Sequence, residues 1–310
     1  MNEFELIRQI TQSLPVNDAV VTGPGDDCAV LDLGVPGRLV LFKTDAVVEG
    51  IHFTRETPPE KIGHKALARC LSDFAAMAGS PTAAVVTLGL PQGFDPATVS
   101  AIYSGMNALA RRHGVAIVGG ETTSNPERLL LSIAVIGTVE KNRCIHRAGS
   151  LAGDAIFVSG ELGGSLAGRH LDFEPRLAEA RWLAEHFSVH AMIDLSDGMA
   201  GDLRHLLDAA KVGAELLKSA IPVSRAARLQ AKSASSAKPP TLAALTDGED
   251  FELLFTVAAR DAVSLADAWR AKFPGVKLSC IGRVTPEPGL RLRDARGIHS
   301  FTGHGYVHFA

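Results

Sequence analysis

The 310-residue sequence has only four cysteines, and none of them form a C-x-x-C pair. This scarcity argues against a zinc site or a disulfide framework and is typical of a reducing compartment. The longest apolar run, residues 129–137, is far shorter than the about 20 residues of a membrane-spanning helix. Glu3 and Glu5 do not fit a signal peptide. The net charge of −3 gives no broad basic surface. We therefore expect a cytoplasmic protein that binds neither nucleic acid nor membrane.

Several common catalytic motifs are also missing. The sequence has no G-x-x-x-x-G-K-[ST], no H-E-x-x-H and no G-x-S-x-G. Residues 23–25 read Gly-Pro-Gly, but acidic residues follow where a dinucleotide fingerprint needs a further glycine. A chain rich in placed carboxylates, with no evident nucleophile or general base, suits phosphoryl transfer, which depends on positioning and charge neutralisation.

Helical and strand patterns alternate in both halves of the chain and indicate an α/β protein of two domains, 1–145 and 146–310. Residues 231–240 are rich in Ser, Ala, Lys and Pro and are predicted to form a loop. The predicted helices are residues 4–14, 59–78, 96–113, one after Gly163-Gly164, 174–187, one that follows Gly198 and runs through Ala210, and 259–273. The predicted strands are residues 38–44, 83–90, 115–118, 129–139, 155–159, 192–195, 251–257 and 278–284.

Acidic residues recur where predicted strands end, which is where catalytic groups concentrate. Their oxygens are the hard ligands that Mg²⁺ prefers. The alternative is that Asp and Gly simply mark turns. The clusters are Asp26 and Asp27, Asp45 at the end of its strand, Glu121 after Gly119-Gly120, and Asp194 with Asp197.

Asp73 favours the metal interpretation. In the helix predicted over residues 59–78, it falls on the same face as Ile62, Ala66, Cys70 and Met77. A carboxylate on an apolar stripe is expected to be buried, and a buried charge must be paired or bound to a metal. The alternative is a capping role or a salt bridge, for example with Lys65 or Arg69.

Seven segments, in chain order, resemble motifs of the thiamine-monophosphate kinases, and together they span essentially the whole chain. Each motif alone is weak, whereas seven in order are specific. They are 25–31 (GDDCAVL), 44–53 (TDAVVEGIHF), 65–77 (KALARCLSDFAAM), 119–123 (GGETT), 193–198 (IDLSDG), 248–253 (GEDFEL) and 305–309 (GYVHF).

The resemblance implies the fold of aminoimidazole ribonucleotide synthetase, with an N-terminal mixed-sheet domain that dimerises through its sheet and a C-terminal α/β domain. It also implies ATP as co-substrate, several Mg²⁺ ions and a homodimer.

The resemblance further implies roles for individual residues. The metal ligands would be Asp27, Thr44, Asp45, Asp73, Glu121, Asp194 and Asp197. The ATP contacts would be Tyr103, Gly120, Glu121, Arg147 and Ser196. The contacts to thiamine monophosphate would be His52, Glu249 and Tyr306. Packing or surface roles are the alternatives for His52, Tyr103, Arg147 and Tyr306.

Three positions depart from the family pattern. Glu121 stands in place of the usual Asp, so its carboxylate reaches about one methylene farther towards a metal that tolerates misplacement poorly. Lys43 stands where a small residue such as Ser is common, and its side chain either points away or takes over some phosphate neutralisation. Asp247 replaces a glycine.

The sequence thus predicts direct, Mg²⁺-assisted transfer of a phosphoryl group from ATP to thiamine monophosphate. The acceptor phosphate has a second pKa near ~6, so it needs no general base at neutral pH. The alternatives are another ATP-dependent synthase of the same fold, a two-metal phosphohydrolase and a non-catalytic binding protein.

Overall fold

The computed structural model describes residues 3–233 and 238–307, which group into two α/β units. The six-stranded unit comprises Ala19–Cys144 and Gly168–Leu177, and the seven-stranded unit comprises Met1–Asp18, Ile145–Ala167 and Ala178–Ala310. The expected two-domain α/β fold is confirmed. The division at residues 145 and 146 stays a prediction, since the grouping by packing is interleaved along the chain.

The six-stranded unit is a mixed sheet with two helices. Its strand order is β1-β2-β3-β6-β4-β5. Among the described strands of this sheet, β4 and β5 pair in parallel and the other neighbours pair antiparallel. The elements are β1 (Val20–Thr22), β2 (Ala29–Leu31), β3 (Arg38–Val48), α2 (Pro59–Ala76), β4 (Ser80–Leu90), α3 (Pro96–His113), β5 (Ala116–Ser124) and β6 (Leu130–Glu140).

Helix α3 begins and ends where its sequence predicts. The Asp95 side chain accepts a hydrogen bond from the Ala97 N–H at 2.9 Å and caps the first turn, which Pro96 opens. Gly114 closes the helix in a left-handed conformation with φ 68°.

Helices α2 and α3 approach each other closely through two glycines. A Cβ at Gly63 would lie 1.8 Å from the Ile102 carbonyl oxygen, and one at Gly105 would lie 1.9 Å from that of Glu60. The contact of backbone on backbone fixes α2, which carries Asp73.

The seven-stranded unit has the strand order β13-β12-β9-β11-β7-β10-β8, with β9 and β12 parallel. Its apolar core includes Ile156, Leu203 and Leu254. Its strands are β7 (Ala155–Ser159), β8 (Val189–Asp194), β9 (Gly213–Leu217), β10 (Leu253–Val257), β11 (Leu278–Thr285), β12 (Gly289–Asp294) and β13 (Gly297–Ser300). The remaining helices of the chain are α1 (Glu3–Thr11), α4 (Leu177–His186), α5 (Met199–Ala210), α6 (Arg225–Ser233), α7 (Pro240–Thr246) and α8 (Ala262–Lys272).

Two acidic residues lie inside strands, so placing them at strand ends was wrong. Asp45 lies within β3 because β3 pairs with β6 without interruption as far as Val48. Glu121 lies within β5 because the parallel pairing with β4 continues through Gly119-Gly120 to Ser124. Asp194 does end its strand, as predicted.

The loop predicted at residues 231–240 begins inside α6 and ends where α7 starts, and residues 234–237 lie outside the described part of the chain. Strands β1, β2, β9, β12 and β13 and helices α6 and α7 were not predicted. The helix predicted after Gly163-Gly164 is instead two short 3₁₀ turns, Ser165–Ala167 and Arg169–Leu171. Among the described helices, none is long and apolar enough to cross a membrane.

We predict that Gly105→Ala lowers the free energy of unfolding by about 3 kcal/mol, because overpacked contacts typically cost about 1–3 kcal/mol or more and this one meets backbone. Denaturant unfolding measures the change. Gly23→Ala is the matched control in the same unit, since its Cβ would meet only a Val20 side-chain carbon at 3.9 Å. Equal stability of the two variants would contradict the close packing.

Candidate functional site

Two buried carboxylates lie together in the six-stranded unit. Asp27 precedes β2, and Asp73 lies in the last turns of α2. Each offers an oxygen within 4.8 Å of the other, and the two residues are only 1% and 6% exposed. The prediction that Asp73 is buried is confirmed. Burial of two like charges so close together demands a compensating cation.

Lys43 supplies part of that compensation. Its Nζ donates a hydrogen bond to Asp73 Oδ1 at 2.8 Å and lies 3.9 Å from Asp45 Oδ2. Burial lowers the pKa of the Lys43 ammonium, but the charges of Asp73 and Asp45 outweigh this and raise the pKa well above its usual value. Of the two orientations open from the sequence, the side chain adopts the one directed at the carboxylates.

The donor set suits Mg²⁺. The oxygens of Asp27, Asp45 and Asp73 are hard, anionic ligands, and Mg²⁺ is usually held by a few carboxylates together with water and substrate phosphates. Asp73 does form a salt bridge, but its partner is Lys43 and not the Lys65 or Arg69 that the sequence suggested as examples.

Thr44 contributes differently from its two neighbours, Lys43 and Asp45. Successive residues of a strand point to opposite faces, so the Thr44 side chain lies on the face away from Lys43 and Asp45. Its hydroxyl donates to the Ile133 carbonyl oxygen at 3.1 Å. Thr44 as a metal ligand stays a prediction, and it would act through its carbonyl oxygen.

His52 is held in one orientation by the turn that follows β3. Its ring Nδ1 accepts a hydrogen bond from the Val48 backbone N–H at 3.0 Å, and the His52 backbone N–H donates to the Val48 carbonyl at 2.9 Å. Because Nδ1 acts as an acceptor, the ring proton lies on Nε2. The buried Lys65 donates to the His52 carbonyl at 2.6 Å. His52 is therefore a preoriented donor through Nε2–H.

Tyr103, Gly120 and Glu121 lie elsewhere in the six-stranded unit. Along the strand register, Asp45 pairs with Ile133, Ile133 with Val86, and Val86 with Gly120. Three steps between strands of about 4.8 Å separate the Asp45 and Gly120 positions by ~14 Å. Glu121 follows Gly120 on β5, about three strands from Asp45, and its role as a metal ligand stays a prediction.

The local surroundings of these three residues fit both packing and binding. A Cβ at Gly120 would lie 1.8 Å from the Val86 carbonyl oxygen, so packing alone requires glycine there. Glu121 is exposed and its Oε1 accepts its neighbour's N–H, from Thr122, at 3.0 Å. Partial burial raises the pKa of the Tyr103 phenol, which stays a neutral donor.

In the seven-stranded unit, three motifs far apart in sequence meet at residues 194–198. The Glu249 N–H donates to the Ser196 carbonyl at 2.6 Å, and the Tyr306 N–H donates to the Asp197 carbonyl at 2.7 Å. Asp194 pairs with Leu253 across β8 and β10. Backbone hydrogen bonds thus fix Asp194, Ser196, Asp197, Glu249 and the Tyr306 segment as one assembly.

Residues 249–251 store backbone strain beside this assembly. Glu249 and Phe251 have φ values of 62° and 49°, which are costly for side chains other than glycine. The buried Asp250 carboxylate accepts the Gly163 N–H at 2.8 Å, and the Ser165 hydroxyl donates to the Glu249 carbonyl at 2.6 Å. These contacts hold the strained turn and with it the direction of Glu249.

The segment that carries Tyr306 is tied to helix α5 by one arginine. The Arg204 guanidinium donates to the Phe301 and Gly303 carbonyls, both at 2.7 Å. Tyr306 and Asp197 line a cavity of 460 Å³, and Tyr306 is 52% exposed. Residues 308 and 309 of the final motif lie outside the described residues.

Asp202 is a residue of this region that the sequence did not single out. It is buried in the first turn of α5, and its Oδ2 accepts the N–H groups of Asp197 and Gly198 at 3.2 and 3.1 Å. Burial and the charges of Asp197 and Asp194 raise its pKa well above the usual range, while Arg147 opposes that rise. The sequence signal that could have identified Asp202 is its position as an acidic residue on the apolar face of a helix.

The two cysteines nearest the carboxylates, Cys28 and Cys70, are not suited to act as nucleophiles. Burial, followed by the charge of Asp73, raises the pKa of the Cys28 thiol well above its usual value. Burial likewise raises the pKa of Cys70, with Asp45 adding to the effect. Neither thiol is therefore a nucleophile at neutral pH.

Known proteins share this architecture along the whole chain. The model for AIR synthase related protein, N-terminal domain, matches residues 25–139, and that for the C-terminal domain matches residues 131–295. Thiamine-monophosphate kinase from Rhodopirellula baltica is 38% identical and covers 97% of this chain and 95% of its own. The same enzyme from Bacillus subtilis is 34% identical over 100% of both chains.

A solved structure, AaThiL complexed with AMPPCP and TMP, superposes with a TM-score of 0.83 at 28% identity and covers 99% of this chain and 97% of its own. The chain belongs to the AIR synthase related family and, within it, to the thiamine-monophosphate kinases.

Proposed function

We propose that this enzyme transfers the γ-phosphoryl group of ATP to thiamine monophosphate and forms thiamine diphosphate. The observation that carries the proposal is the buried carboxylate pair Asp27 and Asp73, in a chain whose full-length relatives are thiamine-monophosphate kinases. Buried carboxylates attract cations. A reaction between two phosphates depends on cations that neutralise their charge more than on a general base.

Magnesium ions fit the ligands of each unit. Asp27, Asp45 and Asp73 would hold Mg²⁺ in the six-stranded unit, and Asp194 and Asp197 would do so in the seven-stranded unit. Bound Mg²⁺ neutralises phosphate oxygens and lowers the repulsion between donor and acceptor. The Thr44 carbonyl and the Glu121 carboxylate are the remaining ligands in the proposal.

For ATP, we propose contacts from Tyr103, Gly120, Glu121, Arg147 and Ser196. A guanidinium such as that of Arg147 is suited to phosphate because its planar donors can bind two oxygens at once. The Ser196 backbone is already fixed by the Glu249 N–H, so its side chain is presented by a rigid turn.

For thiamine monophosphate, we propose contacts from His52, Glu249 and Tyr306. The His52 Nε2–H is a donor suited to a phosphate oxygen or a ring nitrogen. Thiamine carries a cationic thiazolium ring, which a carboxylate and an aromatic face both stabilise. The strained turn directs Glu249, and Arg204 fixes the segment of Tyr306.

Transfer is direct in this proposal. The acceptor phosphate is largely dianionic at neutral pH because its second pKa is about 6, so no general base is required. The buried thiols Cys28 and Cys70 do not compete as nucleophiles. The protein's part is to hold and align two phosphates in line.

We propose that the enzyme acts as a homodimer through the open face of its six-stranded sheet. This face carries large apolar side chains that are 41–65% exposed, a pattern typical of an interaction surface. They are Phe42, Val85, Val118 and Ile136. We further expect the enzyme to work in the cytoplasm, where its four free cysteines stay reduced.

We predict that purified protein with ATP, Mg²⁺ and thiamine monophosphate forms thiamine diphosphate and ADP in equal amounts. Asp45→Ala should lower kcat at least about 100-fold, because a group that stabilises charge in the transition state is lost. Asp172→Ala, which removes an exposed carboxylate paired with Lys61, is the matched control. ADP without thiamine diphosphate would indicate a phosphohydrolase or another acceptor, and absence of ADP would contradict a kinase.

We predict that the wild-type protein sediments as a dimer and that Ile136→Glu sediments as a monomer, because a carboxylate would be desolvated on the shared apolar face. Val263→Glu, on the exposed side of α8, should stay dimeric and serves as the control. A monomeric wild type, or a dimeric Ile136→Glu variant, would rule out this interface.

We predict that Arg204→Met raises the KM for thiamine monophosphate about tenfold, equivalent to about 1.4 kcal/mol, and leaves the KM for ATP unchanged. The variant keeps the apolar stem but loses the hydrogen bonds to Phe301 and Gly303, so the Tyr306 segment loosens. Arg270→Met, which breaks an exposed pair with Asp267, is the control. An unchanged KM for the acceptor would show that Tyr306 takes no part in binding it.

A further inference from the structure

The ammonium group of Lys43 lies where carboxylates converge. It is 2.8 Å from Asp73 Oδ1 and 3.9 Å from Asp45 Oδ2. Asp73 in turn offers an oxygen within 4.8 Å of one from Asp27. A basic side chain at position 43 of β3 therefore reaches this acidic group.

Lys43 reaches this position because of strand geometry. It lies on β3 two residues before Asp45, so both side chains leave the same face of the sheet, towards α2. The side chain is only 23% exposed and that of Asp73 9%. The ion pair is therefore largely withdrawn from water and from salt screening.

A tethered ammonium and a divalent ion compete for the same oxygens. Mg²⁺ binds carboxylate oxygens at about 2.0–2.1 Å and requires near-octahedral geometry. The ammonium donates to Asp73 Oδ1 and repels a second cation that approaches between Asp45 and Asp73. Both cannot occupy this location.

We propose that Lys43 replaces one divalent cation of the active site, so that this enzyme binds one Mg²⁺ fewer per chain than the same site would with a small side chain at position 43. The inference rests on the proposed function insofar as Mg²⁺ and ATP are the ligands of these carboxylates. The ammonium supplies a permanent charge between Asp45 and Asp73, and the metal ions that still bind would use oxygens of Asp27 and of the other proposed ligands.

The direct test counts bound Mn²⁺ per chain by electron paramagnetic resonance, with AMPPCP present and without acceptor. Lys43→Ser should bind one more Mn²⁺ than the wild type. Lys61→Ser is the matched control, since it removes a lysine of the same unit whose Nζ also lies 2.8 Å from a carboxylate oxygen, that of the half-exposed Asp172. Equal Mn²⁺ counts in wild type and Lys43→Ser would overturn the proposal.

A second readout covers variants that fold poorly. Metal-free Lys43→Ser should melt at a lower temperature than the wild type, because its carboxylates lose their counter-charge, and Mg²⁺ should raise its melting temperature more than that of the wild type. Lys43→Ala opens the same space without a hydroxyl and should behave alike. If Mg²⁺ raised the melting temperatures of wild type and variants equally, no ion would take the place of the ammonium. The same would follow if both variants misfolded and Mn²⁺ did not restore their fold.

Both readouts are independent of acceptor turnover. If no thiamine diphosphate forms, the proposed function fails while the Mn²⁺ count still decides the role of Lys43. If thiamine diphosphate forms and the counts are equal, the role of Lys43 fails alone.

Discussion

The burial of negative charge beside helix α2 is the constraint on which the six-stranded unit depends. Asp73 lies on the apolar face of α2, and the glycine contacts with α3 leave that helix no room to shift. Two buried carboxylates at this distance are unstable without cations. Lys43 from β3 supplies one positive charge, and the remaining carboxylate charge fits the Mg²⁺ ions proposed above.

In the seven-stranded unit, backbone hydrogen bonds hold together the segments that carry the candidate site residues. Hydrogen bonds from Glu249 and Tyr306 to the 196–197 turn join three motifs that are distant in sequence. The carboxylates of Asp250 and Asp202 accept hydrogen bonds from N–H groups of adjoining turns. A rigid frame of this kind suits a reaction in which alignment of two phosphates is the main task of the protein.

Much of this could be predicted from the sequence, because caps, periodicity and ordered motifs are local signals. The ends of α3 and the burial of Asp73 followed from such signals. The interior positions of Asp45 and Glu121 did not, since the length of a strand depends on a partner strand remote in sequence. The direction of Lys43 and the role of Asp202 likewise depend on tertiary neighbours that no local pattern encodes.

We propose that a phosphoryl group passes directly between two bound substrates, while the protein supplies position and charge. The most direct measurement uses ATP made chiral at its γ-phosphorus with oxygen isotopes and determines the configuration of the phosphoryl group in thiamine diphosphate. A single in-line displacement predicts inversion. Retention would require two displacements and a phosphorylated protein side chain, which would contradict the account.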